Sequence, residues 1–239
     1  MDLGVVVTIS AGNSGSNGPF YGSSGSSGKN VLAIASVETE DFPASPFKAT
    51  FTTNGKSEVV TAGYLPSTYY FPPNVAGWPI KPLSLNTNIA DDACTPYPSG
   101  TPSLTGSVAL VRRGGCTFAV KQQNLEALGA RYILIYNSDS SPLIVPSTDR
   151  FTSLIGGITA DAGKAIIKTI AEGGSVTADF SPNPEEVVGI DYNVGGRPSI
   201  FTSWAGTWDL QMKPDIAAPG GNIFSSVSSS RPFPSAAWT

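Results

Sequence analysis

Histidine is absent from this 239-residue sequence. Its absence removes the usual general base at neutral pH, so a complete Ser-His-Asp or Cys-His site cannot lie within these residues. Cysteine is almost as scarce: there are two, Cys94 and Cys116, which by themselves read as two unrelated buried thiols. Charge is sparse, with 14 basic against 18 acidic residues and a net charge of -4. With no basic cluster, nucleic acid and anionic membrane surfaces are excluded as expected partners. Apolar runs fall far short of a membrane span, and no basic n-region precedes an apolar core at the N-terminus, so no signal peptide is expected in this chain. No Asn-x-Ser/Thr sequon occurs, and N-glycosylation therefore lends no support to secretion.

Glycine (26) and proline (20) are abundant, which favours turns and short strands over long helices. A hydrophobic content of 40% is enough for a real core, in one or two domains. Nothing in the pattern calls for a cofactor or a metal.

The most structured stretch is Leu104 to Asn137. Val108-Ala109-Leu110-Val111 is a short apolar run bounded by Gly106 and Arg112-Arg113-Gly114-Gly115, as in a strand buried on both faces. Thr117 is placed to cap a helix whose Phe118, Lys121, Leu125 and Leu128 share a face, with Lys121 expected to snorkel. Gly129 ends it, and Tyr132 to Tyr136 follows as a second buried strand, parallel to the first across a right-handed crossover. The run Gly106 to Phe118, with Lys121, Leu128-Gly129-Ala130 and Ile135-Tyr136-Asn137, resembles the protease-associated domain. That resemblance implies a binding or lid module without chemistry of its own. It also implies a disulfide between Cys94 and Cys116, and with it an oxidising compartment.

Gly4 to Ile9 is apolar and β-branched and predicts a buried strand, running into Ser10-Ala11-Gly12-Asn13-Ser14-Gly15. Gly12, Gly15 and Gly18 superficially suit a phosphate loop, but Ser16 to Gly28 lacks the apolar periodicity of the helix such a loop opens into. Val5 to Gly15, followed by Asn30 to Val37, resembles the subtilisin-like serine proteases at the segment carrying their oxyanion asparagine. The resemblance implies that Asn13 is that catalytic donor and that Ser10, Ala11 and Gly12 wall the pocket for the substrate side chain. An asparagine suits the task because its amide donates a hydrogen bond without carrying charge.

Phe47, Ala49 and Phe51 alternate, and Asn54-Gly55 predicts a type I′ hairpin ahead of Val59-Val60. Tyr69-Tyr70-Phe71-Pro72-Pro73 reads as a loop packing its rings on the module, with an exposed aromatic patch as the alternative. Leu154 to Ile158 predicts a strand. Thr159 to Glu172 predicts a core helix with Gly163, Ile166, Ile167 and Ile170 on one face and Gly173 at its end. Val176 to Phe180 reads as an edge strand, and Ser181 to Pro184 as a boundary. Ser199 to Thr207, then Lys213-Pro214-Asp215 with Ala218-Pro219-Gly220, resembles the stretch before the catalytic serine motif of subtilisin-like proteases carrying this insert. Asp215 is expected to be a buried carboxylate satisfied by backbone N–H groups. None of Ser225, Ser226 or Ser228 to Ser230 stands in the nucleophile motif.

The expected fold is α/β: a partial subtilisin-like parallel-sheet catalytic domain, residues 1–57 and 183–239, interrupted by an inserted α+β protease-associated domain, residues 58–182. The expected function is that of an internal piece of a secreted serine endopeptidase acting on protein or peptide substrates. The family's catalytic Asp, His and Ser would lie outside this chain, in other parts of the same full-length protein, leaving this piece inactive alone. The rival expectations are a stand-alone protein- or peptide-binding module and a nucleotide-binding α/β protein.

Overall fold

The computed structural model describes residues 4–139, 141–148 and 151–223. In chain order the strands are β1 (Thr8–Ser10), β2 (Leu32–Glu38), β3 (Asp41–Thr53), β4 (Lys56–Pro66), β5 (Trp78–Pro82), β6 (Val108–Arg112), β7 (Tyr132–Tyr136), β8 (Leu154–Ile158), β9 (Ser175–Asp179), β10 (Val188–Asp191) and β11 (Ile216–Gly221). Helix α1 (Phe118–Glu126) follows β6, and α2 (Ala160–Ala171) follows β8. The protein is thus mostly β with few helices. It divides into two compact units, Met1–Phe42 with Val194–Thr239, and Pro43–Asn193.

The first unit is built on a three-stranded parallel sheet in the order β1-β2-β11. A parallel sheet is what the α/β expectation requires, but the only helical turn described in this unit is a short 3-10 stretch, Gly15–Asn17. The buried strand expected over Gly4 to Ile9 is corrected here. Only Thr8–Ser10 pairs, and Val5 and Val6 are 60% and 70% exposed. Apolar content alone does not bury a run: β1 is an edge strand, and no described element covers Val5 and Val6. Ser225, Ser226 and Ser228 to Ser230 lie outside the described residues.

In the second unit the strands β3-β4-β8-β7-β6-β5-β9 close into a ring because β9 pairs with β3 as well as β5, and β10 adds to β3 outside it. The two-residue turn of the β3–β4 hairpin forms at Asn54 (φ 51°) and Gly55 (φ 74°), as the sequence predicts. Alternation along β6 and β7 splits the core into two. Val108, Leu110, Leu134 and Tyr136 join Phe47, Tyr64, Phe71, Phe180 and the α2 residues Ile166 and Ile167. The intervening Ala109, Val111, Ile133 and Ile135 pack with Leu125 of α1. Thr117 Oγ1 caps α1 at the Val120 amide and Thr159 Oγ1 caps α2 at the Ala162 amide.

Three expectations about this unit change. The predicted edge strand at Val176 is an interior strand, β9, with β3 on one side and β5 on the other. Lys121 does not snorkel; it is fully buried. Of the aromatic run at Tyr69, only Phe71 packs in the core, while Tyr69 and Tyr70 remain 68% and 47% exposed. The compact unit Pro43–Asn193 includes most of β3, which carries the ladders to β4 and β9, and β10, which pairs with β3 and lies against β4.

Candidate functional site

The loop after β1 is anchored on both sides of Asn13. The Ala11 amide donates to the Ile34 carbonyl at 2.8 Å, and the Ala11 carbonyl accepts the Ser23 amide at 2.7 Å. Gly12, at φ +117°, accepts the Ser203 amide at 2.8 Å, and Ser203 Oγ accepts the Ser14 amide at 3.2 Å while donating to the Tyr21 carbonyl at 2.7 Å. A Cβ at Gly12 would stand 2.9 Å from Ser203 Oγ, so both the backbone angle and the close approach call for glycine. Three residues on, the Gly15 amide donates to the Phe201 carbonyl and the Gly15 carbonyl accepts Trp204 Nε1, each at 3.0 Å.

Between these clamps Asn13 is exposed, and its carboxamide has no hydrogen-bond partner among the described residues. Of its expected neighbours, Ser10 is exposed, Gly12 half-buried and Ala11 buried. The arrangement leaves one neutral donor, on a braced loop at a strand end, free to meet an acceptor. The phosphate-loop alternative fares poorly, since the turn that follows is a three-residue 3-10 stretch rather than a helix.

Sequence reasoning missed Ser203, which is 1% exposed and spends both donor and acceptor on this loop. Its segment is fixed in turn to β2: the Ser36 amide donates to Thr202 Oγ1 at 2.9 Å, and the Ser36 and Ser199 hydroxyls meet at 2.7 Å. Asp215 differs from expectation. It is not buried, and it accepts the Ala33 amide at 2.7 Å and the Lys213 ammonium at 2.8 Å. Those two donors, Lys213 first, hold its carboxyl below the usual range.

In the second unit Cys94 and Cys116 are joined in a disulfide with Cα atoms 5.7 Å apart. Lys121 Nζ donates to the Asp92 carbonyl and lies 3.5 Å from Cys94 Sγ. Burial pulls this ammonium below the usual lysine value, against the attraction of Asp92 and Asp91. Burial also pushes the Asp92 carboxyl up, opposed by the Arg112 amide that donates to it at 2.9 Å. With both sulfurs bonded, this cluster is a brace for the 89–94 loop and offers no nucleophile. The described residues hold no group of three or more acidic, cysteine or histidine side chains placed to bind a metal.

Residues 79–166 match the family described as PA domain, so a PA domain is present within the second unit. A PII-type proteinase of Lactococcus lactis subsp. cremoris is 32% identical over 132 residues, covering 52% of this chain and 7% of that protein. The minor extracellular protease Vpr of Bacillus subtilis is 28% identical over 240 residues, covering 95% of this chain and 26% of that protein. The C5a peptidase of Streptococcus pyogenes is 32% identical over 130 residues, covering 54% of this chain and 10% of that protein. The chain therefore spans about a quarter or less of the length of these relatives. Among solved structures, the psychrophilic subtilisin-like protease Apa1 of Pseudoalteromonas sp. AS-11 is similar at a TM-score of 0.45 and 17% identity, over 81% of this chain and 51% of that one.

Proposed function

We propose that this chain is part of a serine endopeptidase of the subtilisin-like kind, in which the first unit supplies an oxyanion donor and the PA domain is an insert spanning roughly 58–182. The observation that carries the reading is the free carboxamide of Asn13 on its anchored loop. It is supported by relatives named as proteinase, protease and peptidase. In this reading a serine outside the chain attacks the peptide carbonyl, and Asn13 donates to the oxygen as it gains negative charge. Such a bond is stronger in the transition state than with bound substrate. The backbone of Ser10, Ala11 and Gly12 lines the pocket for the side chain preceding the cleaved bond. Substrates are proteins or peptides, the setting is extracellular, and no cofactor takes part.

Two measurements test this reading. The chain alone, lacking histidine, does not turn over casein and is not labelled by a serine-directed fluorophosphonate; sustained turnover with labelling refutes the reading of an inactive piece. In a longer protein containing this segment, Asn13→Leu lowers kcat per titrated site by about 10²–10³, or ~3–4 kcal/mol, with KM little changed. That magnitude is the one known for a subtilisin's own oxyanion asparagine. An unchanged kcat per titrated site removes Asn13 from the mechanism. The second reading, a stand-alone binding module, gains from the PA domain match and from the missing histidine.

A further inference from the structure

The outer edge of β4 is open where its neighbour leaves it. β8 runs antiparallel to β4 with Leu65 opposite Gly157 and Pro66 opposite Gly156, and the Ser67 amide donates to the Ile155 carbonyl. Continued in the same register, β8 would bring residues 159 and 161 opposite Gly63 and Thr61. Instead the chain turns at Thr159, which caps α2. The vacated slot is a cleft of about 300 Å³, lined by Thr61, Ala62 and Gly63, the first turn of α2, the 137–139 loop and β10.

Parity fixes which backbone groups face this cleft. Pro46 lies opposite Gly63 in the β3–β4 ladder and has no N–H to give, so Gly63 occupies a non-bonded site there. Ser67, two positions on from Leu65, already donates toward β8. Gly63 and Thr61 therefore turn their N–H and C=O groups to the side that β8 has left, and no described strand pairs with them there. A free edge of this kind is a template for another strand. The walls are acidic: Asp139, Asp161 and Asp191 line the cleft. Among the described residues, the cation paired with any of them is Lys164, on Asp139.

We infer that this cleft binds an extended, lysine- or arginine-bearing polypeptide segment as an added strand on β4, in the place β8 vacates. Main-chain hydrogen bonds to Thr61 and Gly63 supply affinity, and Asp161 and Asp191 select a cationic side chain. The cleft is large enough for a few residues. This inference concerns the second unit alone and stands whatever becomes of Asn13.

The test is fluorescence anisotropy of the whole chain with a fluorescein-labelled heptapeptide alternating lysine and valine. Saturable binding is expected, lost when the peptide is N-methylated at alternate residues. It should also be lost in Thr61→Pro, which removes one outward N–H while leaving the ladder to β3 intact. Asp161→Asn with Asp191→Asn should weaken binding at least tenfold, and a heptapeptide alternating glutamate and valine should not bind. If Thr61→Pro fails to fold, the N-methylated peptide decides the same point. Absence of saturable binding, or binding indifferent to N-methylation, overturns the inference. So does self-association of the free chain through this edge, seen as a concentration-dependent mass in sedimentation that Thr61→Pro abolishes, because it assigns the edge to a second copy.

Discussion

The amide of Ser203 donates to the carbonyl of Gly12 at 2.8 Å, tying together two residues that lie at opposite ends of the chain. Because Ser203 Oγ also accepts the Ser14 amide, one buried serine fixes the residues on either side of Asn13. The Ser203→Ala variant leaves the Ser14 amide without its acceptor, and the expected loss is about 1–2 kcal/mol. Urea unfolding measures the loss, and faster hydrogen exchange at Ser14 localises it. An unchanged midpoint with unchanged exchange would mean that the clamp does not form in solution.

Gly163 gives a prediction with an inverted sign. Glycine to alanine inside a helix ordinarily gains up to about 1 kcal/mol. Here a Cβ at Gly163 would press into Cβ and Cγ of Tyr136, which is buried in the core. The Gly163→Ala variant is therefore expected to lose about 1–3 kcal/mol through overpacking. Thermal unfolding decides it, and a raised Tm would mean that α2 stands off from β7.

The Cys94–Cys116 disulfide closes a loop of 22 residues, and on chain-entropy grounds it stabilises by about 3 kcal/mol. Peptide mass spectrometry without reduction should find the two cysteines linked. Reduction, or the Cys94→Ser/Cys116→Ser pair, should lower the urea midpoint accordingly. Two free thiols in material from an oxidising compartment would refute the bond.

Alkaline pH should unfold the protein through its tyrosines. Burial pushes the Tyr64, Tyr97 and Tyr136 phenols up to about 12. The hydroxyls of Tyr97 and Tyr136 have no hydrogen-bond partner among the described residues. A phenol whose folded value lies above its unfolded value of 10.0 contributes stability that is whole below pH 10 and is lost as pH rises toward 12. Lys121 works in the opposite sense, because its lowered value makes stability rise with pH up to the unfolded value of 10.5. Three phenols outweigh one ammonium, so the urea midpoint should fall above pH 10. Tyrosinate absorbance from Tyr64, Tyr97 and Tyr136 should develop only as pH approaches about 12. A single step near pH 10 in the folded protein would contradict their burial.

Much of the second unit was legible because its signals are local. Thr117 and Thr159 sit where a side-chain oxygen reaches the amide three residues on, and Gly129 and Gly173 take the positive φ that ends a helix. Asn54-Gly55 forces a hairpin, and the apolar blocks at Val108, Tyr132 and Leu154 become adjacent parallel strands. The candidate site was legible only as a resemblance at Asn13. Neither composition nor periodicity marked Ser203, because its role arises from hydrogen bonds to residues far away in the chain.

By itself, then, the sequence determined the two capped helices, the Asn54-Gly55 hairpin and the apolar strands at Val108, Tyr132 and Leu154, since caps, glycines and apolar periodicity act over a few residues, while it left β5, β10 and β11 unmarked. It also ruled out a complete histidine-based catalytic site. Tertiary structure alone decided what each element faces. It made Val176 to Asp179 an interior strand by closing the ring, and it buried Lys121 beside Asp92 and Cys94. The Val5-Val6 run stayed exposed because nothing described covers it. Tertiary structure also opened the β4 edge at Thr61 and Gly63 by turning the chain into α2 one residue after β8. The physical reason is common to all four: burial and edge pairing are properties of neighbours brought together by long-range register, and no local window of residues contains those neighbours.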